Sequence, residues 1–346
     1  MNELNSNFIL SYETNKPLIL IKKSTNQIML KHPIEIHKEK IEDDITSKDI
    51  YISQTYGGLL ITIFNDEGIW YCLTDTGFIE ISEDIKNIIN KLNINYYYFF
   101  MINNNQLVQT QNKINLIYTK ETYKFTEINL SENNDFKYIL QKRLYFSCFN
   151  DILQYIHNIS YKNYVNKKIS LEGIMIRFPD DTYIKVESEC FKKINALKPN
   201  YKNINIGYLD LYKKDKLTIY LPYYSDFSND ILKRINISLK TLSEEILTIY
   251  HLTRNKKNVE IFNALPDEYK KILYDIHGIY ITSKNINDDT SSINIHNIYY
   301  YLKKNDIDKI VTIYKMRQQL ENNILFNNII NKNCIYSKTQ TLLLNS

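Results

Sequence analysis

The sequence predicts an α+β protein in two parts, an antiparallel-rich sheet system over residues 1–224 and a mainly α-helical part over residues 225–346. Three observations predict it. Short apolar or alternating runs separated by polar turns fill the first part. Two pairs of these runs are joined by hairpin turns, Asn65-Asp66-Glu67-Gly68 and Pro179-Asp180-Asp181. After about Tyr224 the apolar residues recur in helical steps.

In chain order, strands are expected over 17–21, 58–64, 68–73, 96–102, 113–119, 170–178 and 182–186, with helices over 81–92 and 149–159 between them. The aromatic run Tyr96-Tyr97-Tyr98-Phe99-Phe100 could stack nucleic-acid bases, but such a run in a strand is expected to be a central strand buried on both faces. Ile231, Ile235, Leu239, Leu242, Ile246 and Ile249 lie on one face of a helix, which predicts a core-facing element. Further helices are expected over 259–262, 266–277, 295–304 and 307–325. Pro266-Asp267-Glu268 suits a first turn, because proline there loses no hydrogen bond and carboxylates favour the positive end. Tyr299-Tyr300-Tyr301 on a helix point in three directions, and the polar stretch 283–292 reads as a mobile loop.

Composition bounds the function. The chain has 346 residues, 44% hydrophobic and 24% charged, as expected of a folded chain with a large core. With 43 Lys+Arg against 39 Asp+Glu the net charge is +4, so nucleic-acid binding requires a local basic surface. Candidate surfaces are Lys162/Lys167/Lys168, Lys192/Lys193/Lys198/Lys202, Lys213/Lys214/Lys216 and Arg254/Lys256/Lys257. With 30 Tyr, 7 Gly, 6 Pro and only two alanines, Ala196 and Ala264, the usage is that of A/T-rich codons. A virus, a cytoplasmic plasmid or an A/T-rich microbe would encode such a chain.

Cys72, Cys148, Cys190 and Cys334 show no C-x-x-C spacing and the N-terminus lacks a signal-like segment, so reduced thiols and a cytoplasmic location are expected. No membrane span is expected, since the longest strongly apolar run, 96–102, is about a third of the ~20 residues a spanning helix needs. His32, His37, His157, His251, His277 and His296 have no ligand spacing, and no metal site is expected from them.

Two hairpins carry a resemblance. The second, Leu171-Glu172-Gly173-Ile174 through Pro179-Asp180-Asp181 to Lys185-Val186-Glu187-Ser188, matches the elements E-G-[IVY]-V, turn, K-[IV]-K-S. The first, over 51–78, stands where K-x-D-G-S opens a hairpin. These elements resemble the ATP-dependent RNA ligases of the bacteriophage tRNA-repair type, within the covalent nucleotidyltransferases. Lys31-His32-Pro33-Ile34-Glu35 is similar to that family's R-P-x-x-K strand and Asn105-Gln106-Leu107-Val108 to its N-R-I-V. The terminal helices look like its carboxy-terminal domain.

The resemblance implies a nucleotidyltransferase domain followed by a helical domain suited to tRNA. It also implies chemistry in which a lysine attacks the α-phosphate of ATP while metal and cations manage phosphate charge. This chain departs from that pattern at several positions. K-x-D-G-S reads Gln54-Thr55-Tyr56-Gly57-Gly58, or Thr55-Tyr56-Gly57-Gly58-Leu59 in the next register, and neither supplies a lysine. The strand whose glutamate holds the ribose falls on Phe99-Phe100-Met101-Ile102, and no acidic residue occurs between Asp84 and Glu121. The second lysine of K-x-K is Glu187, and Asp75-Thr76-Gly77 replaces a cation before glycine.

Glu172 and Lys185 remain, as a residual phosphate or metal site or simply as a cross-strand pair. The degenerate positions are therefore Gln54, Gly57, Met101, Glu172, Lys185 and Glu187. The candidate RNA contacts are Lys192, Lys193, Arg254, Lys256 and Lys257. The expected function is a noncatalytic ligase-like protein that needs no cofactor, binds tRNA or RNA ends and antagonises an anticodon-nuclease ribotoxin. The alternatives are an active ligase using ATP, Mg and a displaced lysine such as Lys22 or Lys23, and a partner-binding pseudoenzyme without RNA contact.

Overall fold

The computed structural model describes residues 7–36, 50–103, 107–108, 114–128, 130, 136, 139–224, 228–286 and 292–330. His37, Asn105, Gln106 and Cys334 lie outside these. The chain divides into two compact units, Met1–Ala196 and Leu197–Ser346. The boundary therefore falls after Ala196, not near Tyr224. The reason is that helices α4 (Ile204–Lys213) and α5 (Leu217–Tyr224) already belong to the second unit. Both are short, and proline inside α5 hides their helical period.

The first unit holds three sheets. The first is β1 (Phe8–Ser11), β2 (Leu18–Lys22) and β3 (Gln27–His32), all antiparallel. The second runs in the order β12 (Arg143–Leu144), β5 (Tyr51–Thr55), β13 (Gly173–Arg177), β14 (Thr182–Glu187), β4 (Ile34–Glu35), with only β4 parallel to its neighbour. The third runs β11 (Glu127–Ile128), β10 (Ile114–Glu121), β9 (Tyr96–Ile102), β6 (Leu59–Asp66), β7 (Ile69–Thr74), β8 (Gly77–Ile79).

The two expected hairpins are β6–β7 and β13–β14. The first turn has Glu67 and Gly68 at φ 52° and 87°, the pair of positive angles that matches strand twist in a two-residue loop. Strand β9 is central, between β10 and β6, and Tyr97 to Phe100 are each at most 1% exposed, so the aromatic run is core and does not present bases with a stacking face.

Alternation along the second sheet sorts its faces. Ile52, Ile174, Ile176 and Ile184 pack with Ile152, Ile156 and Ile159 of helix α2 (Phe149–Asn166). Met175 and Tyr183, on the other face, join a core with Leu60, Phe99 and Met101 of the third sheet and Leu18, Leu20 and Leu30 of the first. The remaining helices of this unit are α1 (Glu83–Ile89) and α3 (Glu189–Asn195).

In the second unit, α6 (Ser228–Arg254) buries Ile235, Leu239, Leu242, Ile246 and Ile249, the face its spacing predicts. It is followed by α7 (Val259–Ala264), α8 (Asp267–Ile286), α9 (Ile295–Lys304) and α10 (Ile307–Glu321). Helix α8 continues to Ile286, so the first residues of the stretch expected as a loop are helical. Residues 287–291 lie outside the described set. Arg317 on α10 and Glu245 on α6 form a buried fork, Nε to Oε2 at 2.6 Å and Nη2 to Oε1 at 2.8 Å. No helix among the described residues is long and apolar enough to cross a membrane.

Buried His32 makes stability depend on pH. Its ring meets Thr62 Oγ1 at 2.7 Å, and burial holds its pKa down at about 3. Below about 6.5 the unfolded chain takes up a proton that the folded chain refuses, so stability falls as pH drops toward 3. The limiting slope is about 1.4 kcal/mol per pH unit. Chemical denaturation of His32→Gln from pH 7 to pH 4 should show a flatter decline than the wild type.

Candidate functional site

Strand β5 ends in the second sheet and β6 begins in the third, so Tyr56-Gly57-Gly58 carry the chain from one sheet to the other. Gly57 and Gly58 have φ of 77° and 111°. A Cβ on Gly58 would stand 1.9 Å from the Ile102 carbonyl oxygen, so this position admits only glycine. Gly173 meets the same limit against Val186 O, 2.0 Å from where its Cβ would be. Gly58 and Gly173 are thus fixed by close backbone approach, and Gly57 by its positive φ.

The sheet register settles what the sequence left open. Thr55, Gly173 and Glu187 form one cross-strand row, and Ser53, Met175 and Lys185 the next, all on the face toward the third sheet. Gln54 shares a row with Ile174 and Val186 on the opposite face. There its Nε2 donates to Tyr155 Oη at 2.7 Å and its Oε1 accepts from Tyr56 Oη at 2.9 Å. Gln54 thus lies on the face away from Glu172 and Lys185. Thr55 occupies the place beside Glu172. The signal was in the strand itself: Ile52 faces α2, and Gln54, two residues on, shares its side.

Around the row stand Glu172, Glu187, Lys185 and Glu35. The Glu172 carboxylate accepts from Thr55 Oγ1 at 3.1 Å, while its backbone is pinned by Glu172 N to Thr55 O (2.9 Å) and Ser188 N to Glu172 O (2.8 Å). Glu172 is 5% exposed. Burial raises its pKa; the Lys185 charge and the Thr55 hydroxyl pull it down, and Glu187, close enough to share a hydrogen bond, pushes it up again. Lys185 Nζ donates to Gly58 O at 3.3 Å and lies 3.7 Å from Glu35 Oε2. Sequence reading had offered Lys185 chiefly as a partner for Glu172, with Glu35 unforeseen in this role. Ser188 caps α3 by accepting from Phe191 N.

Met101 is 1% exposed inside the core shared by the three sheets, so a thioether fills the place where the resemblance implies a ribose-binding carboxylate. The cluster has three carboxylates to one ammonium. That balance opposes a triphosphate, because like charges at ~4 Å cost about 1 to 4 kcal/mol per pair. Among the described residues no group of three His, Cys, Asp or Glu is placed to hold a metal ion.

The candidate basic residues fall on both units, and each unit's set is distinct. Lys192 and Lys193 are exposed at the end of α3, with Lys192 3.4 Å from Glu189. In the second unit Lys256 and Lys257 are exposed, while the Arg254 guanidinium lies over the Tyr274 ring at 4.7 Å. Lys213 and Lys214 are taken up by Asn305 O and, at 2.7 Å, Asp210.

No family model matches the chain, and no curated protein matches it. Solved structures similar to it are two forms of an archaeal ATP-dependent RNA ligase. Form 1 is 7% identical with TM-score 0.35, covering 68% of this chain and 74% of that one. Form 2 is 9% identical with TM-score 0.36, covering 69% and 77%. A putative ATP-dependent DNA ligase from Aquifex aeolicus is 9% identical with TM-score 0.35, covering 68% and 70%. At such scores they do not bear on the roles of individual residues.

Two outcomes follow from this geometry. Glu172→Gln should raise the unfolding temperature at pH 7–8 and leave it unchanged near pH 3, because a group with a raised folded pKa loses stability as pH rises through that value. A drop at pH 7–8, read by differential scanning calorimetry, would mean the carboxylate is held by attraction. Gly58→Ala should cost about 2–3 kcal/mol in chemical denaturation, from the strained φ and the carbonyl clash.

Proposed function

We propose that this chain is a noncatalytic RNA-ligase-like protein that binds tRNA or RNA ends and protects an anticodon loop by occupying it. One observation carries the reading: Thr55, hydrogen-bonded to Glu172, stands where the resemblance calls for a nucleophilic amine, with Glu187 across Gly173 where it calls for a cation. A hydroxyl tied to a carboxylate and faced by a second carboxylate is poorly placed to attack the α-phosphate of ATP or to stabilise departing pyrophosphate.

The displaced-lysine alternative is weakened at Lys22. Its ammonium donates to Asp66 Oδ1 and Oδ2 at 2.8 and 2.9 Å and to Glu67 Oε1 at 2.7 Å. The hydrogen bond to Asp66, followed by that to Glu67, raises its pKa well above the usual lysine value, so the nitrogen keeps its proton.

RNA binding is supported by the exposed pairs Lys192/Lys193 and Lys256/Lys257, since neutralised phosphates dominate such affinity. Protection by occupancy needs no ATP. It needs a dissociation constant below the tRNA concentration, and it would oppose a ribotoxin without touching it.

Incubation with ATP labelled at the α-phosphate, followed by denaturing electrophoresis, should leave the chain unlabelled, and Thr55→Lys should stay unlabelled because Glu187 and Met101 remain. A covalent adenylate on the unmodified chain would sink the noncatalytic reading. Retention of tRNA should fall with salt, and charge reversal of Lys192 and Lys193, or of Lys256 and Lys257, should weaken it about tenfold. Retention indifferent to salt and to both reversals would favour a protein partner. Co-expression with anticodon nucleases, reading intact tRNA, tests protection directly.

A further inference from the structure

One basic group marked out by the sequence, Lys162/Lys167/Lys168, belongs to the C-terminal end of α2, and two aromatic rings stand with it. The buried side of α2 carries Ile152, Ile156, Ile159 and Asn163. Tyr161 and Tyr164, three residues apart and so neighbours on the helix surface, lie off that side and leave 63% and 60% of their surface to solvent. Val165, four residues from Tyr161, is exposed beside them. A single exposed ring needs no explanation, but two adjacent rings and a valine form a patch.

We propose that this face of α2 stacks two successive bases of single-stranded RNA, with the strand's phosphates against Lys168 and the lysines of α3. The two residues are about 4.5 Å apart along the helix axis, a spacing that a flexible single strand can match base by base. Each ring offers a flat face that any base can cover, which gives contact without sequence preference. The Lys167 ammonium lies 3.8 Å from the centre of the Tyr164 ring, so a base stacks on the opposite face. Lys167 is itself the helix cap, in the left-handed conformation (φ 48°, ψ 39°) that glycine or asparagine usually fills.

Charge favours a polyanion over a protein surface of mixed sign. From Ile152 to Leu171 the sequence has no acidic residue. Helix α3 begins against the C-terminal half of α2, Cys190 N donating to Ser160 Oγ at 3.0 Å, and it carries Lys192 and Lys193 exposed. The one carboxylate of α3, Glu189, lies 3.4 Å from Lys192, whereas Lys168 and Lys193 have no carboxylate partner among the described residues. Helix-end carbonyls account for lysines at a C-terminus; they do not account for exposed rings there.

The inference rests on the RNA-binding reading of Lys192 and Lys193 and adds base contacts to it. Its test is binding of the full chain to a fluorescent single-stranded oligoadenylate and to an RNA duplex of the same length, by anisotropy over a range of salt. Tyr161→Leu with Tyr164→Leu removes both rings while keeping apolar, helix-forming side chains, and Tyr161→Phe with Tyr164→Phe keeps both rings; melting curves verify that each variant folds. The leucine variant should bind the single strand about tenfold more weakly with the same salt slope, since a stacked ring displaces no counterions, and should bind the duplex as the wild type does. The phenylalanine variant should keep wild-type affinity, and Lys168→Glu should instead flatten the salt slope. Wild-type affinity in the leucine variant, with Lys192/Lys193 reversal still weakening the strand, overturns the stacking face and leaves the RNA-binding reading standing. No RNA retained by the unmodified chain at low salt overturns both. Equal loss in the leucine and phenylalanine variants assigns the effect to the hydroxyls and overturns stacking. A wild-type dimer in sedimentation that the leucine variant makes monomeric, with RNA affinity unchanged, gives the face to a second copy of the chain and likewise overturns the proposal.

Discussion

The approach of Gly58 to the Ile102 carbonyl sets the geometry of the first unit. At that point the chain leaves one sheet and enters another with no room for a side chain, so the third sheet must pack where the second sheet ends. Everything near the motif follows from this seam. Thr55 is brought to the end of its strand against Glu172, Lys185 reaches the Gly58 carbonyl, and Met101, one residue before Ile102, is turned into the shared core. A backbone contact of this kind is indifferent to which side chains flank it. It is therefore compatible with a hydroxyl at Thr55 and a carboxylate at Glu187 on either side of it.

The cluster it assembles is governed by desolvation more than by attraction. Glu172 is buried, faces another carboxylate, and has its pKa raised by burial first. The charge on Lys185 is divided between Glu35 and a carbonyl oxygen. Such a site disfavours further negative charge.

How much of this was legible in the sequence varies with the physical cause. Hairpins declared themselves through turn residues, and α6 through its period, because both signals are local. The pairing of β5 with β13 was not legible, since β5 is five residues long and its partner is more than a hundred positions away. Without that pairing the choice between Gln54 and Thr55 stayed open, and Glu35 could not be joined to Lys185. Edge strands β4, β11 and β12, two residues each, carry no periodicity at all.

Met101 gives the seam a consequence for mutational history. A carboxylate at that position would have to leave water for a core of leucine, phenylalanine and methionine, at a cost of several kcal/mol. A chain only a few times more stable than that cost has little reserve for such a step. A carboxylate introduced at residue 101 alone therefore lowers stability before any neighbouring change can compensate it.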